Sequence, residues 1–207
     1  RSQPTNINLA ASFQHKDLND DPSKTLGTNN KFSNSLPISI NFDTRDHLLG
    51  GGITFGAVTW TKGNLGLNDY LTSKDTNQTA GDFDKLTLDI ARLQALPEGF
   101  SLYIRGSAQW SNKNLDSSEG FGVGGFSGVR AYPTGEGYGN VGWVTQTELR
   151  YALNSSISPY CFYDIGSSTV NQTTVGDNST RNLSGAGIGV RYTQDNWSAD
   201  VLGAWRI

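Results

Sequence analysis

Few residues in this 207-residue chain combine a type and a spacing that do chemistry. Gly120-Phe121-Gly122-Val123-Gly124-Gly125 matches GxGxxG, but it follows a polar stretch and opens no helical pattern. Dinucleotide binding needs a strand–turn–helix setting, so a glycine-rich loop is the reading here. Asp46-His47 offers an acid–base pair like those of barrel proteases, yet it falls at a short turn, where a solvated pair is the ordinary outcome. His15 has no Ser or Cys nucleophile motif near it. Cys161 is the single cysteine, so no internal disulfide forms, and no Cys/His cluster has zinc spacing. Asn-x-Ser/Thr triplets such as Asn77-Gln78-Thr79 reflect loops rich in those residues. These residues predict no enzyme and no cofactor. One combination remains, Arg130 in the longest link and Asp164 in the segment Tyr160–Gly166. An arginine–carboxylate pair, ideally bidentate, would hold that link against the strand. Two independently solvated groups fit the spacing equally well.

The elements that must position these residues have a period of two. Ile7, Leu9, Ala11 and Phe13 alternate with smaller or polar residues, as do Leu36, Ile38, Ile40 and Phe42. The same holds for Leu86, Leu88 and Ile90, and for Leu102, Ile104, Ala108 and Trp110. Trp143, Leu149, Tyr151 and Leu153 oppose Gln146, Glu148 and Arg150, and Ala186, Ile188, Val190 and Tyr192 oppose Gly185, Gly187, Gly189 and Arg191. Trp197, Ala199, Val201, Trp205 and Ile207 close the series. Successive side chains on a strand point to opposite faces, so each segment has one apolar and one polar face. With Ile53–Thr61 and Tyr160–Ser168 this predicts nine strands and almost no helix. In Tyr160–Gly166, Phe162, Asp164 and Gly166 share the polar face, while Cys161, Tyr163 and Ile165 share the other.

The links alternate strictly in length. Asp46–Gly52, Pro97–Gly99, Asn154–Ser158 and Gln194–Asn196 are short; Lys16–Asn34, Lys62–Phe83, Ser111–Gly139 and Ser167–Asn182 are long. In an up-and-down meander alternate links lie at the same end, which gives the tight turns and long loops of outer-membrane barrels. Composition agrees: 35% hydrophobic residues, 25 glycines and 22 aromatics suit strands and turns rather than a large apolar core or a disordered chain. The longest stretch free of charge and histidine, Leu48–Thr61, has 14 residues with three consecutive glycines inside, too short for a membrane helix. A net charge of -3 lacks the basic surface that nucleic-acid binding requires. Without a methionine or a basic-then-apolar start, the chain reads as part of something longer. The fold class is all-β, an antiparallel up-and-down transmembrane β-barrel. Arg105, Glu148, Arg150, Asp164, Arg191 and Arg206 face its interior, and Phe42, Phe100, Trp110, Trp143, Tyr151, Trp197 and Trp205 sit at its interfacial girdles.

Two segments, Asn114–Tyr151 and Tyr160–Gly166, resemble the transporters of bacterial two-partner secretion, the hemolysin activation/secretion proteins. In that family the sixth extracellular loop carries V-R-G-Y/F after a Gly-Gly pair; here Gly124-Gly125 precedes Val129-Arg130-Ala131-Tyr132. A later strand carries F-x-D-x-G, matched by Phe162, Asp164 and Gly166. Asn114–Glu119, Glu148–Tyr151 and Leu86–Leu96 are similar too, so the likeness runs from about Leu36 onward. It implies a sixteen-strand barrel in the outer membrane, of which residues 1–207 form a single region, strands seven to fifteen. POTRA domains, early strands and the closing strand would lie outside this chain. It further implies a pore for one secreted partner protein, an adhesin, cytolysin or contact-dependent toxin, passing unfolded through a lumen surrounded by the lipid bilayer. The motif loop would reach back into that lumen and be anchored by Arg130 to Asp164, with Gly185, Gly187 and Gly189 leaving room for it. Ala131 departs from the family glycine and would be strained if that position needs positive φ. A barrel-assembly factor of the same superfamily shares both motifs, while a passive porin or a secreted soluble β-protein explains the alternation but not the motifs.

Overall fold

The computed structural model describes residues 5–20, 29–170 and 180–207; residues 1–4 and the centres of two predicted long links, 21–28 and 171–179, lie outside the described residues. The strands are β1 (Thr5–Ala11), β2 (Gln14–Asp20), β3 (Asn29–Asp46), β4 (Gly52–Leu67), β5 (Gly81–Ala95), β6 (Phe100–Ser111), β7 (Phe121–Gly122), β8 (Tyr138–Gly139), β9 (Val141–Tyr151), β10 (Ile157–Thr169), β11 (Thr180–Gln194) and β12 (Trp197–Arg206). All except β7 and β8 belong to one antiparallel sheet in which sequence neighbours are also neighbours in space. β1 and β2 lie end to end along β3, so the ten segments of the sheet fill nine strand positions. Their break faces Pro37, whose carbonyl takes the Ser12 N–H at 3.2 Å but which has no N–H to return. Among the described residues, helix is confined to one turn at Asp69–Thr72 and three 3₁₀ turns at Leu48–Gly50, Pro97–Gly99 and Ser117–Glu119.

The predicted asymmetry of the links is present. Leu48–Gly50 and Pro97–Gly99 turn the chain through positive φ at Leu49 and Glu98, each followed by a glycine that tolerates the same region. The long links are shorter than the alternation indicated: β4 continues to Leu67, β5 starts at Gly81, and β10 continues to Thr169. The added residues are mostly Asn, Ser, Thr, Gly and Lys. The hydrogen-bond ladder continues there after the apolar face has ended, as it does when a strand leaves lipid for water.

Register separates the two faces. Leu9, Ile40, Val58, Leu88, Ala108 and Trp143 form one cross-sheet row, and its large members are exposed. A second row, Asp43, Phe55, Ala91, Arg105, Gln146 and Asp164, lies on the opposite face. That face also holds Ile53, Leu93 and Tyr103 in register with Glu148, so it is less uniformly polar than the sequence pattern suggested. The long link between β6 and β9 packs on this inner face, whereas the outer face presents uncovered Leu, Ile, Val and Trp. An apolar face of this extent is stable only against hydrocarbon. Asp46 receives both Nη1 and Nη2 of Arg92, at 2.7 and 2.9 Å, beside the first short turn. Gln94 donates to the carbonyls of Leu48 and Gly51 at 2.7 and 2.9 Å and so closes that turn.

The two faces should respond oppositely to charge. Leu88→Arg is expected to lower stability in lipid vesicles by about 2–4 kcal/mol, and Asn41→Arg on the inner face by less than about 1 kcal/mol, measured by denaturant unfolding.

Candidate functional site

The link between β6 and β9 folds into a compact body on the inner face. β7 and β8 pair as a small hairpin at its base. Beyond it the chain doubles back: Val129 N–H donates to the Val123 carbonyl at 2.7 Å, Gly124 N–H to Glu136 at 2.9 Å, and Tyr132 N–H to Val129 at 3.1 Å. These crossings need glycine. A Cβ on Gly124 would lie 2.6 Å from the Pro133 carbonyl, and Gly125 has φ +106° with Thr134 against it. Val123, Val129, Val144 of β9 and Leu183 of β11 form a buried cluster, with Phe121 and Tyr132 packed around it. Gln146 of β9 donates to the carbonyls of Gly128 and Phe126 at 2.8 and 3.1 Å, and Ser168 of β10 donates to Gly137 at 2.6 Å.

This body delivers Arg130 to a prepared wall. Its Nε and Nη2 meet the two oxygens of Asp164 at 2.8 and 2.7 Å, and its own backbone N–H donates to Asp164 Oδ2 at 3.0 Å. The Arg130 side chain is 4% exposed and Asp164 is 0% exposed. Nη1 donates to Glu148, and the guanidinium lies 3.8 Å from the centre of the Phe162 ring. Asp164 therefore has three donors, and Arg130 has two carboxylates and an aromatic face. Glu148 is a hub: Arg150 reaches it at 2.6 Å and Arg191 at 3.9 Å. Arg191 also holds Asp200 at 2.7 Å, and Tyr160 donates to the same carboxylate at 2.7 Å. Burying a carboxylate as deeply as Asp164 is costly without such a partner set.

The glycines of the wall divide their tasks. A Cβ on Gly185 would come within 2.6 Å of Ala131, so that glycine seats the loop. Gly187 and Gly189 instead lie beneath the rings of Phe162 and Tyr160, their cross-strand partners, and make room for the loop only through those rings. Gly166 is covered by Val123 of the loop, 2.6 Å from where its Cβ would be. Ala131 is not among the residues with positive φ, so alanine is unstrained there. Its carbonyl accepts from Arg206 at 3.2 Å, and that guanidinium lies 4.5 Å from the Tyr132 ring. Arg130 and Asp164 are thus paired, resolving the alternative that spacing left open. The sequence placed Glu148 on the inner face without giving it a partner; its parity with Gln146 and Arg150 was the available signal.

A barrel-type sheet with an apolar exterior and its longest loop salt-bridged to the inner wall defines an outer-membrane β-barrel protein. A family model, haemolysin secretion/activation protein ShlB/FhaC/HecB, matches residues 6–192. The chain belongs to this family of two-partner secretion transporters, whose members reside in the outer membrane of Gram-negative bacteria. Among curated proteins, the heme/hemopexin transporter protein HuxB of Haemophilus influenzae is 28% identical over 167 residues in one strain, covering 77% of this chain and 29% of the relative. In a second strain the identity is 30% over 167 residues, with the same 77% and 29% coverage. The chain thus spans less than a third of the length of these relatives. Of solved structures, CdiB from Escherichia coli superposes with a TM-score of 0.54 at 14% identity, covering 98% of this chain and 47% of that one. That likeness is one of fold.

Removing one partner from a buried ion pair costs about 3–5 kcal/mol, so Arg130→Ala should accelerate exchange of the residue-130 amide by on the order of 100-fold or more in hydrogen-exchange mass spectrometry. Arg130→Lys, which keeps the charge but not the planar fork, should recover only part of the protection. Gly185→Ala should also lift the loop, and adding Ala131→Gly should partly reverse the effect in the same measurement.

Proposed function

We propose that this chain is the carboxy-terminal part of a pore that exports one large partner protein across the outer membrane by two-partner secretion. Family membership supports this, and so does the particular sequence that carries the buried pair. Val129-Arg130-Ala131-Tyr132 and Phe162-x-Asp164-x-Gly166 meet each other on the inner wall, with Gly124 and Gly125 shaping the loop. POTRA domains and further strands, lying outside this chain, would complete the barrel and recruit the partner. The single observation that carries the reading is Arg130 held by Asp164 and Glu148 inside the face turned away from lipid.

In this reading the docked loop occupies the path of the exported chain and must leave it. Release separates Arg130 from Asp164, and a gap of about 3–5 kcal/mol keeps the open form below about one molecule in a hundred until a partner arrives. Glu148 keeps Arg150 and Arg191 after release, so only Asp164 loses its cation. An incoming polypeptide offers backbone donors to that carboxylate. The partner passes unfolded, and its folding outside biases net movement outward without a nucleotide.

In cells making the full-length protein and its partner, Arg130→Ala should reduce secreted partner at least about tenfold while the barrel still inserts and shows heat-modifiable migration. Normal amounts of partner in the culture medium would overturn the reading. Loss of other outer-membrane barrels, with export intact, would instead identify an assembly factor.

A further inference from the structure

The arginine is not the only charged hold on this loop. Eleven residues before Arg130, Glu119 is 5% exposed, and its two oxygens are taken by Lys16 of β2 at 2.5 Å and Lys85 of β5 at 2.7 Å. Asp116 receives Lys31 of β3 at 2.8 Å, with both side chains only 12% exposed. Burial pushes the Glu119 carboxyl up, but the lysines outweigh it and hold it below the usual carboxylate range. Asp116 behaves in the same way with Lys31. The backbone is pinned too: Gln109 of β6 donates to the Glu119 carbonyl at 3.0 Å, and Asn114, 1% exposed, donates to Asn77 of the β4–β5 loop at 2.9 Å. None of these wall residues touches the arginine site.

The polarity of the two holds is reversed. At one the loop supplies the cation and the wall the carboxylates; at the other the loop supplies the carboxylates and the wall the cations. Together with Arg206 of β12 on Ala131, they make the loop a strut running from β2 to β12 across the described sheet. Between the holds lie Gly120, Gly122, Gly124, Gly125 and Gly128. Gly122 has open space around its Cβ position. The Glu119 end lies eight residues from the end of β6, so it has less reach than Arg130, which lies nineteen residues from β6 and eleven from the start of β9.

We propose that Asp116 and Glu119 are positioning residues that form a second, independent anchor of the loop, with Lys16, Lys31 and Lys85 as its receptor. The loop then opens as a flap about the glycine run, its Arg130 end swinging free while its Glu119 end stays seated. This inference rests on the pore reading for its purpose, though not for its test.

The test is hydrogen-exchange mass spectrometry on the purified full-length protein in lipid vesicles. Glu119→Gln should accelerate exchange of amides 115–120 roughly tenfold or more and leave the Arg130 amide within about twofold of wild type. Reversing the anchor with Glu119→Lys, Lys16→Glu and Lys85→Glu together should restore protection, which a merely steric role would not do. Wild-type exchange in Glu119→Gln, simultaneous loss at Arg130, or no rescue by the reversal would each overturn the proposal. Should Glu119→Gln fail to give a heat-modifiable barrel, Lys85→Gln, which leaves Lys16 in place, takes the same comparison. Failure of Arg130→Ala to reduce export would sink the pore reading and leave these exchange results standing.

Discussion

Burying a carboxylate away from water is costly unless cations and donors are brought to it, and Asp164 is in that position. Among the described residues, the hydrogen bonds it accepts come from the loop: two guanidinium nitrogens and one backbone N–H, all from Arg130. The wall and the loop are therefore not separately complete. Without the loop the strand bears an uncompensated charge, and without the strand the loop bears a buried arginine. This mutual need explains why so much of the neighbourhood consists of supports, from the Phe162 ring under the guanidinium to Gly187 under the ring.

The fold was largely legible because lipid and water impose opposite demands on adjacent residues. The period of two in Leu86–Ile90 or Ala186–Tyr192 is the direct imprint of that demand, and the alternating link lengths gave the topology. Legibility ended where that demand reversed. Above the lipid the outward positions turn polar, with Lys62, Asn64 and Asp82, while Leu65 and Phe83 are buried on the inner face, so Lys62–Leu67 and Gly81–Phe83 read as loop. On the inner face Ile53, Phe55 and Leu93 broke the rule in the other direction, with Phe55 and Leu93 left exposed there.

The site was legible in its motif residues and obscure in its support. Arg130 and Asp164 stood out through opposite charge and resemblance, but composition does not show that Glu148 serves three guanidiniums at once, since that depends on register between β9, β10 and β11. The lysines gripping Glu119 were invisible for a similar reason: Lys16 and Lys85 are 69 residues apart in sequence and meet only through the loop that lies between them in space. The glycines were over-read as one group. Cross-strand geometry assigns Gly185 to the loop and Gly187 and Gly189 to aromatic rings, a division that depends on which residue stands opposite.

The length of β3 sets the height of the mouth. Eighteen residues, rising about 3.4 Å each and tilted by about 45°, give a wall roughly 40 Å tall against an apolar band of about 25 Å. The surplus forms a parapet standing above the headgroups on the side of the long links. The long loops joined to these strands are therefore carried clear of the charged lipid surface.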